Sequence, residues 1–138
     1  MVPTKHETVK IILDANFFFL PLQFNLNIFE ELANMLNQRF EPVLLSSTLK
    51  ELHGLAESSS PQTQKRALLA LRMAEKCSFV PVEKFSGESY DDVIVRVSTD
   101  WKVPVGTNDK KLKKRLRQKG IAVIFLRQKH RLVIEGTV

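Results

Sequence analysis

A chain of 138 residues, 43% of them hydrophobic and 26% charged, has the composition of one globular domain. This excludes both a disordered chain and a pair of ordinary domains, and we assign residues 1–138 to a single domain. The formal charge of +6, from 21 Lys and Arg against 15 Asp and Glu, favours a polyanionic partner, because basic side chains release counterions from a phosphate backbone.

Cysteine usage and hydropathy bound the class of protein further. Cys77 is the only cysteine, so no internal disulfide can form, and no Cys and His residues stand at zinc-finger spacing. The first ten residues have no apolar core of signal-peptide length, and no apolar run approaches about 18 residues. We therefore expect a cytoplasmic protein that does not contact a membrane.

Strands and helices alternate through the first half of the chain. The β-branched run from Val9 to Leu13 predicts a buried strand that ends at Asp14. Asn27 and Glu30 stand as the N-cap and third residue of a helix. A strand at 43–45 and helices at 48–57 and 61–76 are predicted to follow, separated by a serine-rich turn at 58–60.

The second half continues the alternation. It predicts a weak strand at 79–82, a helix capped by Ser89, a strand at 103–106, a basic helix at 110–119 and a strand at 122–126. An apolar run at 132–134 allows a further edge strand. This pattern predicts a three-layer α/β/α sandwich with a mainly parallel sheet.

Four acidic residues occupy corresponding positions in this pattern. Asp14 ends the first strand and Asp109 follows the fourth, while Glu51 and Asp92 each lie about one turn into a helix. Because the carboxyl ends of parallel strands share one edge of the sheet, we expect the four carboxylates to meet there. Carboxylates so close together repel, and oxygen ligands suit a hard ion such as Mg²⁺ or Mn²⁺.

Each acid also has a structural interpretation. Glu51 stands three residues after Thr48, and Asp92 three residues after Ser89, which is the spacing of a capping box. Asp109 is placed to cap the basic helix, and Asp14 to stabilise a turn.

The sequence resembles the PIN domain (PilT N-terminal) nucleases along nearly its whole length. The matching segments are Ile11-Ile12-Leu13-Asp14-Ala15-Asn16, Leu49-Lys50-Glu51-Leu52, Tyr90-Asp91-Asp92-Val93-Ile94-Val95 and Thr107-Asn108-Asp109-Lys110. The Asp-Asp pair and the Thr-Asn-Asp-Lys segment look most like the branch that processes ribosomal RNA in archaea and eukaryotes. VapC-type toxins are the rival within the family.

The resemblance implies a five-stranded sheet of order 3-2-1-4-5 and a metal-dependent endoribonuclease using Mg²⁺ or Mn²⁺. The catalytic, metal-binding acids it implies are Asp14, Glu51, Asp92 and Asp109. Asp91 is an alternative to Asp92, which we choose because Val-Ile-Val follows it as in the family. The supporting residues are Asn16, Thr107 and Asn108, whose side chains can orient a carboxylate or a metal-bound water.

The basic residues predict how RNA is attracted. The candidate RNA-binding residues of the basic helix are Lys110, Lys111, Lys113, Lys114, Arg115, Arg117 and Lys119, and a weaker basic group follows at Arg127, Lys129, His130 and Arg131. A solvated helix face is the structural alternative for the helix.

The expected partner is RNA, either single-stranded or a structured ribosomal RNA precursor. A homodimer and a ribosome-assembly or antitoxin partner are also compatible with the resemblance. A non-catalytic RNA-binding assembly factor is the alternative from another functional class.

Overall fold

One six-stranded sheet organises the protein in a computed structural model that describes residues 8–137. The strands are β1 (Val9–Leu13), β2 (Phe40–Leu45), β3 (Ser78–Val80), β4 (Val105–Gly106), β5 (Val123–Arg127) and β6 (Arg131–Glu135). The helices are a 3₁₀ helix (Ala15–Phe19), α1 (Leu20–Phe24), α2 (Ile28–Leu36), α3 (Ser46–Ala56), α4 (Pro61–Ala74), α5 (Tyr90–Trp101) and α6 (Lys110–Gln118). In residues 8–137, no helix has the length and apolar character that crossing a membrane requires.

The strand order is β3-β2-β1-β4-β5-β6, and every neighbouring pair is parallel except β5 and β6. The predicted fold class is confirmed, and the order of the first five strands agrees with the order that the resemblance implied. The sixth strand is the edge strand that the apolar run at 132–134 allowed. It pairs with β5 as an antiparallel hairpin, which requires only a short turn.

The hydrophobic core lies on both faces of the sheet. Ile11 and Leu13 of β1 belong to a cluster on one face, whereas Ile12 belongs to the cluster on the other. This alternation follows from the two-residue repeat of a strand, and it explains why a strand buried on both faces has a continuous apolar sequence. Phe17 and Phe18, which follow β1, are fully buried in the first cluster.

Two local features differ from the sequence prediction. The segment after Asp14 forms the 3₁₀ helix and then α1, neither of which was predicted. Helix α3 begins at Ser46, two residues before the predicted start at Thr48, and Ser46 Oγ bonds the backbone of Val82.

Pro104 lies just before β4, where its carbonyl accepts a hydrogen bond from Ile12 N–H, so its missing N–H does not interrupt the sheet.

Removal of a buried aromatic ring tests the first cluster. Phe18→Ala is expected to lower the free energy of unfolding by about 3–5 kcal/mol, because the truncation leaves a cavity. Phe79→Ala removes the same ring from a side chain of β3 that is 53% exposed, and it should cost less than about 1 kcal/mol. Urea denaturation measures both, and equal losses would contradict the assignment of Phe18 to the core.

Candidate active site

Asp14 lies at the end of β1 and is held there by three hydrogen bonds. Its backbone N–H donates to Gly106 O at 2.9 Å, while its side-chain oxygens accept from Ala15 N–H and from Thr107 Oγ1, each at 2.8 Å. The side chain therefore caps the 3₁₀ helix, in agreement with the structural interpretation. Burial nevertheless raises its pKa to about 6, more than these hydrogen bonds lower it.

Glu51 extends from α3 without the capping role that its spacing allowed. Because α3 begins at Ser46, Thr48 is a third helical residue and not an N-cap, and no side chain caps this helix. Within the described residues, Thr48 Oγ1 and Glu51 Oε1 are both buried without a hydrogen-bond partner. Such an unsatisfied buried oxygen costs about 1–3 kcal/mol.

The charges around Glu51 relate it to the other acids. Burial, followed by the negative charges of Asp14 and Asp91, raises the pKa of Glu51 to about 7. The charge of Asp91 also adds to the effect of burial on the pKa of Asp14. Helix α3, β1 and the start of α5 therefore bring three carboxylates near one another.

Asp92 points to different surroundings from its neighbour Asp91. Its carboxylate accepts a hydrogen bond from Ser89 N–H at 2.9 Å, and Asp92 N–H donates to Ser89 Oγ at 3.1 Å, which completes a capping box. Its other oxygen lies 2.8 Å from Arg115 Nη2. The hydrogen bonds with Ser89 and Arg115 lower the pKa of Asp92, which is the signature of a satisfied carboxylate.

The structure places Asp92, which the sequence prediction chose as a metal ligand, and its alternative Asp91 in different surroundings. The capping box turns the Asp92 carboxylate back toward the helix terminus, and the next residue along the helix is rotated by about 100°. Burial raises the pKa of Asp91, and the negative charge of Asp109 raises it further. Asp91 therefore lies among buried, negatively charged neighbours, whereas the Asp92 carboxylate is held by Ser89 and Arg115.

Asp109 combines both of its predicted roles. Its Oδ1 accepts from Lys111 N–H at 2.8 Å and from Leu112 N–H at 3.0 Å, so it caps α6. Its negative charge also adds to the rise in the pKa of Asp14 and of Asp91, after the larger effect of burial. Capping and membership of the acidic group are therefore compatible.

The three supporting residues form a hydrogen-bonded network around this edge of the sheet. Thr107 Oγ1 donates to Asp14 and accepts from Asp109 N–H at 3.1 Å, so one hydroxyl joins two of the acids. Asn16 Oδ1 accepts from Asn108 N–H at 3.1 Å, and Asn108 Oδ1 accepts from a backbone N–H of β5 at 2.7 Å. The network fixes the positions of the acids without neutralising their charges.

The donor set suits a hard divalent ion in part. All the donors are oxygens, and one oxygen of Glu51 has no partner within the described residues, which fits Mg²⁺ or Mn²⁺. However, no three His, Cys, Asp or Glu side chains of residues 8–137 are arranged to hold one ion together. Mg²⁺ usually retains several waters and takes only one or two carboxylates, so the arrangement fits an ion bound mainly through water.

The basic helix divides into paired and unpaired side chains. Arg115 pairs with Asp92, while Lys113 and Arg117 pair with Glu135 at 2.8 and 3.9 Å. The exposed lysines that make no ion pair with any described residue are Lys110, Lys111, Lys114 and Lys119. Neither Lys110 nor Lys111 neutralises the acidic group, so the helix retains a surplus of positive charge beside it.

The raised pKa of Glu51 predicts a specific dependence of stability on pH. The folded protein binds this proton more tightly than the unfolded chain, so the free energy of unfolding falls as pH rises from about 4 to about 7. In the presence of a chelator, Glu51→Gln should therefore equal the wild type near pH 4 and exceed it by about 1 kcal/mol near pH 8, the half-buried position being partly screened by solvent.

Urea denaturation across this pH range measures the effect. Glu57→Gln removes the same charge from an exposed position and serves as the control, for which no such divergence is expected. If Glu51→Gln differed from the wild type by the same free energy at both pH values, the raised pKa of Glu51 would be contradicted.

The chain matches known proteins over most of its length. A family model described as a PIN like domain covers residues 11–129. Ribonuclease VapC4 of Methanocaldococcus jannaschii is 30% identical over 129 residues, which span 94% of this chain and 98% of that protein.

Solved structures share the architecture. The PIN domain endonuclease Utp24 has a TM-score of 0.78 and 30% sequence identity, with 94% of this chain and 92% of that chain covered. VapBC2 from Rickettsia felis, bound to a DNA fragment from its promoter, has a TM-score of 0.62 at 12% identity, with coverage of 86% and 100%, and is similar in fold alone. Motifs, fold and family model agree, and the chain belongs to the PIN-like domain family.

Proposed function

We propose that the protein is a divalent-metal-dependent endoribonuclease that hydrolyses RNA phosphodiester bonds. The observation that carries this proposal is the group formed by Asp14, Glu51, Asp91 and Asp109 at one edge of the sheet in a PIN-like chain. The ribonuclease VapC4 and the endonuclease Utp24, each similar over nearly the whole chain, support the same activity.

The four acids would have different roles in binding a metal ion. Asp14 and Asp91 would hold an ion directly or through water, while Asp109 and Glu51 complete the site or recruit a second ion. When bound, a divalent ion lowers the pKa of a coordinated water and stabilises negative charge on the leaving oxygen. With an ion held by these carboxylates, water would serve as the nucleophile toward phosphorus, so no Ser or Cys nucleophile would be needed.

Residues around the acids supply orientation. Thr107 Oγ1 donates a 2.8 Å hydrogen bond to one oxygen of Asp14, and this contact fixes the orientation of the carboxylate. Arg115, held by Asp92, places a guanidinium beside Asp91 and partly offsets the rise in the pKa of Asp91 that burial and Asp109 cause. A cation at this position also suits a phosphate oxygen of the substrate.

The substrate that we favour is a ribosomal RNA precursor. This rests on the resemblance of the Asp91-Asp92 pair and the Thr107–Lys110 segment to the branch that processes ribosomal RNA. A VapC-type toxin ribonuclease is the second candidate, because the VapC4 relative is 30% identical over 98% of its own length. Controlled expression in cells separates the two: a toxin arrests growth and an Asp91→Asn variant does not, whereas a processing enzyme leaves growth unaffected.

Substitution of the adjacent acids tests which of them belongs to the metal site. Asp91→Asn should lower metal-dependent cleavage by about 100-fold or more, because it removes a charge from the acidic group. Asp92→Asn should retain cleavage within about tenfold and instead lower the midpoint of urea denaturation, because it weakens the capping box and the Arg115 pair. Cleavage of labelled single-stranded RNA in Mn²⁺ measures activity, and urea denaturation measures stability.

The reverse pattern, with cleavage lost only in Asp92→Asn, would restore the assignment made from the sequence. Absence of cleavage in the wild type with Mn²⁺ or Mg²⁺, together with intact RNA binding, would instead favour a non-catalytic assembly factor.

Metal binding can be measured without activity. Addition of Mn²⁺ to chelator-treated protein should raise its melting temperature, since a ligand at about 100 times its dissociation constant stabilises by about 2.7 kcal/mol. Asp14→Asn should abolish this rise, and Asp92→Asn should keep it. An equal rise in all three proteins would show that Mn²⁺ binds elsewhere.

A further inference from the structure

Two of the grooves along α6 differ in charge, and the larger one has nearly equal numbers of acidic and basic side chains. It encloses about 1060 Å³ between residues 81–88, α5 and the end of α6. Four acidic and three basic side chains line it, namely Glu83, Glu88, Asp92, Asp100, Arg96, Arg115 and Lys119. Two of the bases are already paired, Arg96 with Glu88 and Arg115 with Asp92. Electrostatics therefore do not favour a polyanion in this groove.

The smaller groove has the opposite character. It encloses about 230 Å³ and runs from Thr107 and Asn108 to Arg127 and Gln128, with Lys110 and Lys113 along its side. No acidic residue lines it within the described part of the chain. Because Thr107 donates a hydrogen bond to Asp14, one end of this groove opens at the candidate active site.

The other end of the groove is the turn of the β5–β6 hairpin, where positive charges accumulate. Arg127 and Arg131 stand directly opposite each other in the antiparallel pair, which is unfavourable for two like charges. Between them, Lys129 adopts a positive φ of 64°, which is uncommon for a lysine. None of the three forms an ion pair with a described residue. The hairpin thus concentrates cations that no internal contact requires.

Helix α6 and the hairpin are held together as one surface. Glu135 on β6 accepts the 2.8 Å ion pair from Lys113, whose ammonium also lies 3.6 Å from the centre of the Phe125 ring on β5. Arg117 contacts the same glutamate and donates to Ile121 O at 3.2 Å. These contacts hold the two sides of the groove together, with Lys110 and Lys113 on the helix side and Arg127 on the strand side.

We infer that this groove and the hairpin turn bind the phosphate backbone of the RNA strand that leads away from the cleavage site. The inference rests on the proposed function and extends it to a second contact surface. A polyanion is the occupant that its charge selects, and single-stranded RNA is the one continuous with the acidic group. The family model covers Arg127 and Lys129 and ends at residue 129, within the turn, so Arg131 and strand β6 lie outside that match.

Neutralisation of the turn tests the inference. In an Asp14→Asn background with chelator present, a triple variant Arg127→Gln, Lys129→Gln, Arg131→Gln should bind a labelled single-stranded RNA about tenfold or more weakly. The slope of log Kd against log salt should fall by about 2, at about 0.7 for each lost phosphate contact. The control triple Lys65→Gln, Arg66→Gln, Arg72→Gln removes the same charge from exposed positions of α4 and should change Kd less than about twofold.

Binding is measured without cleavage, so the result separates this inference from the proposed activity. Weakening by the hairpin triple alone supports the inference even if the wild type does not cut RNA. Equal weakening by both triples would overturn it, because only net charge would then matter. Tighter binding of polyglutamate than of RNA, lost only in the hairpin triple, would also overturn it in favour of an acidic protein partner.

Discussion

The hydrogen bond between Thr107 and Asp14 is the contact on which the rest of the site depends. It joins two neighbouring parallel strands at the edge where both end. It also stabilises a carboxylate whose charged form burial disfavours. Gly106 makes this close approach possible, since a Cβ there would lie 2.8 Å from a side-chain carbon of Leu13. The close packing of β1 against β4 thus fixes the position of the Asp14 carboxylate at the end of β1.

The two adjacent aspartates of α5 show how one helix terminus serves both stability and chemistry. Asp92 satisfies the helix terminus through Ser89 and holds α6 through Arg115. The Asp91 carboxylate takes no part in this capping box, and burial, followed by the negative charge of Asp109, raises its pKa. The two adjacent acids therefore have opposite electrostatic surroundings, since hydrogen bonds with Ser89 and Arg115 lower the pKa of Asp92.

The sequence predicted the fold well because the sheet is buried on both faces. Runs such as Ile11 to Leu13, in which successive residues are all apolar, are typical of central parallel strands, and the order of the strands along the chain then determines which ends share an edge. The same logic predicted that Asp14 and Asp109 lie near each other at that edge, and the charge of Asp109 does raise the pKa of Asp14. It does not choose between Asp91 and Asp92, because the apolar continuation after Asp92 favours one register and the capping box with Ser89 favours the other.

The features that the sequence did not predict depend on tertiary contacts. Glu51 loses its apparent capping box because Ser46 bonds the backbone of Val82, 36 residues away, and α3 starts earlier as a result. The 3₁₀ helix after Asp14 exists because Phe17 and Phe18 must both enter the core immediately after the strand. Neither event leaves a local pattern, so no reading of spacing alone would find them.

The distribution of paired charges explains how an acidic site can accept an anionic substrate. Phosphate approaching four carboxylates is repelled, and an ion bound among them offsets this only at short range, within about a Debye length of 8–10 Å. Arg115 pairs with Asp92, and Lys113 and Arg117 pair with Glu135, so these three cations hold α6 in position. Lys110, Lys111 and Lys114 make no ion pair among the described residues. The first of these lysines directly follows Asp109 in the sequence. The positive charges that attract RNA at longer range therefore lie next to the carboxylates that repel it.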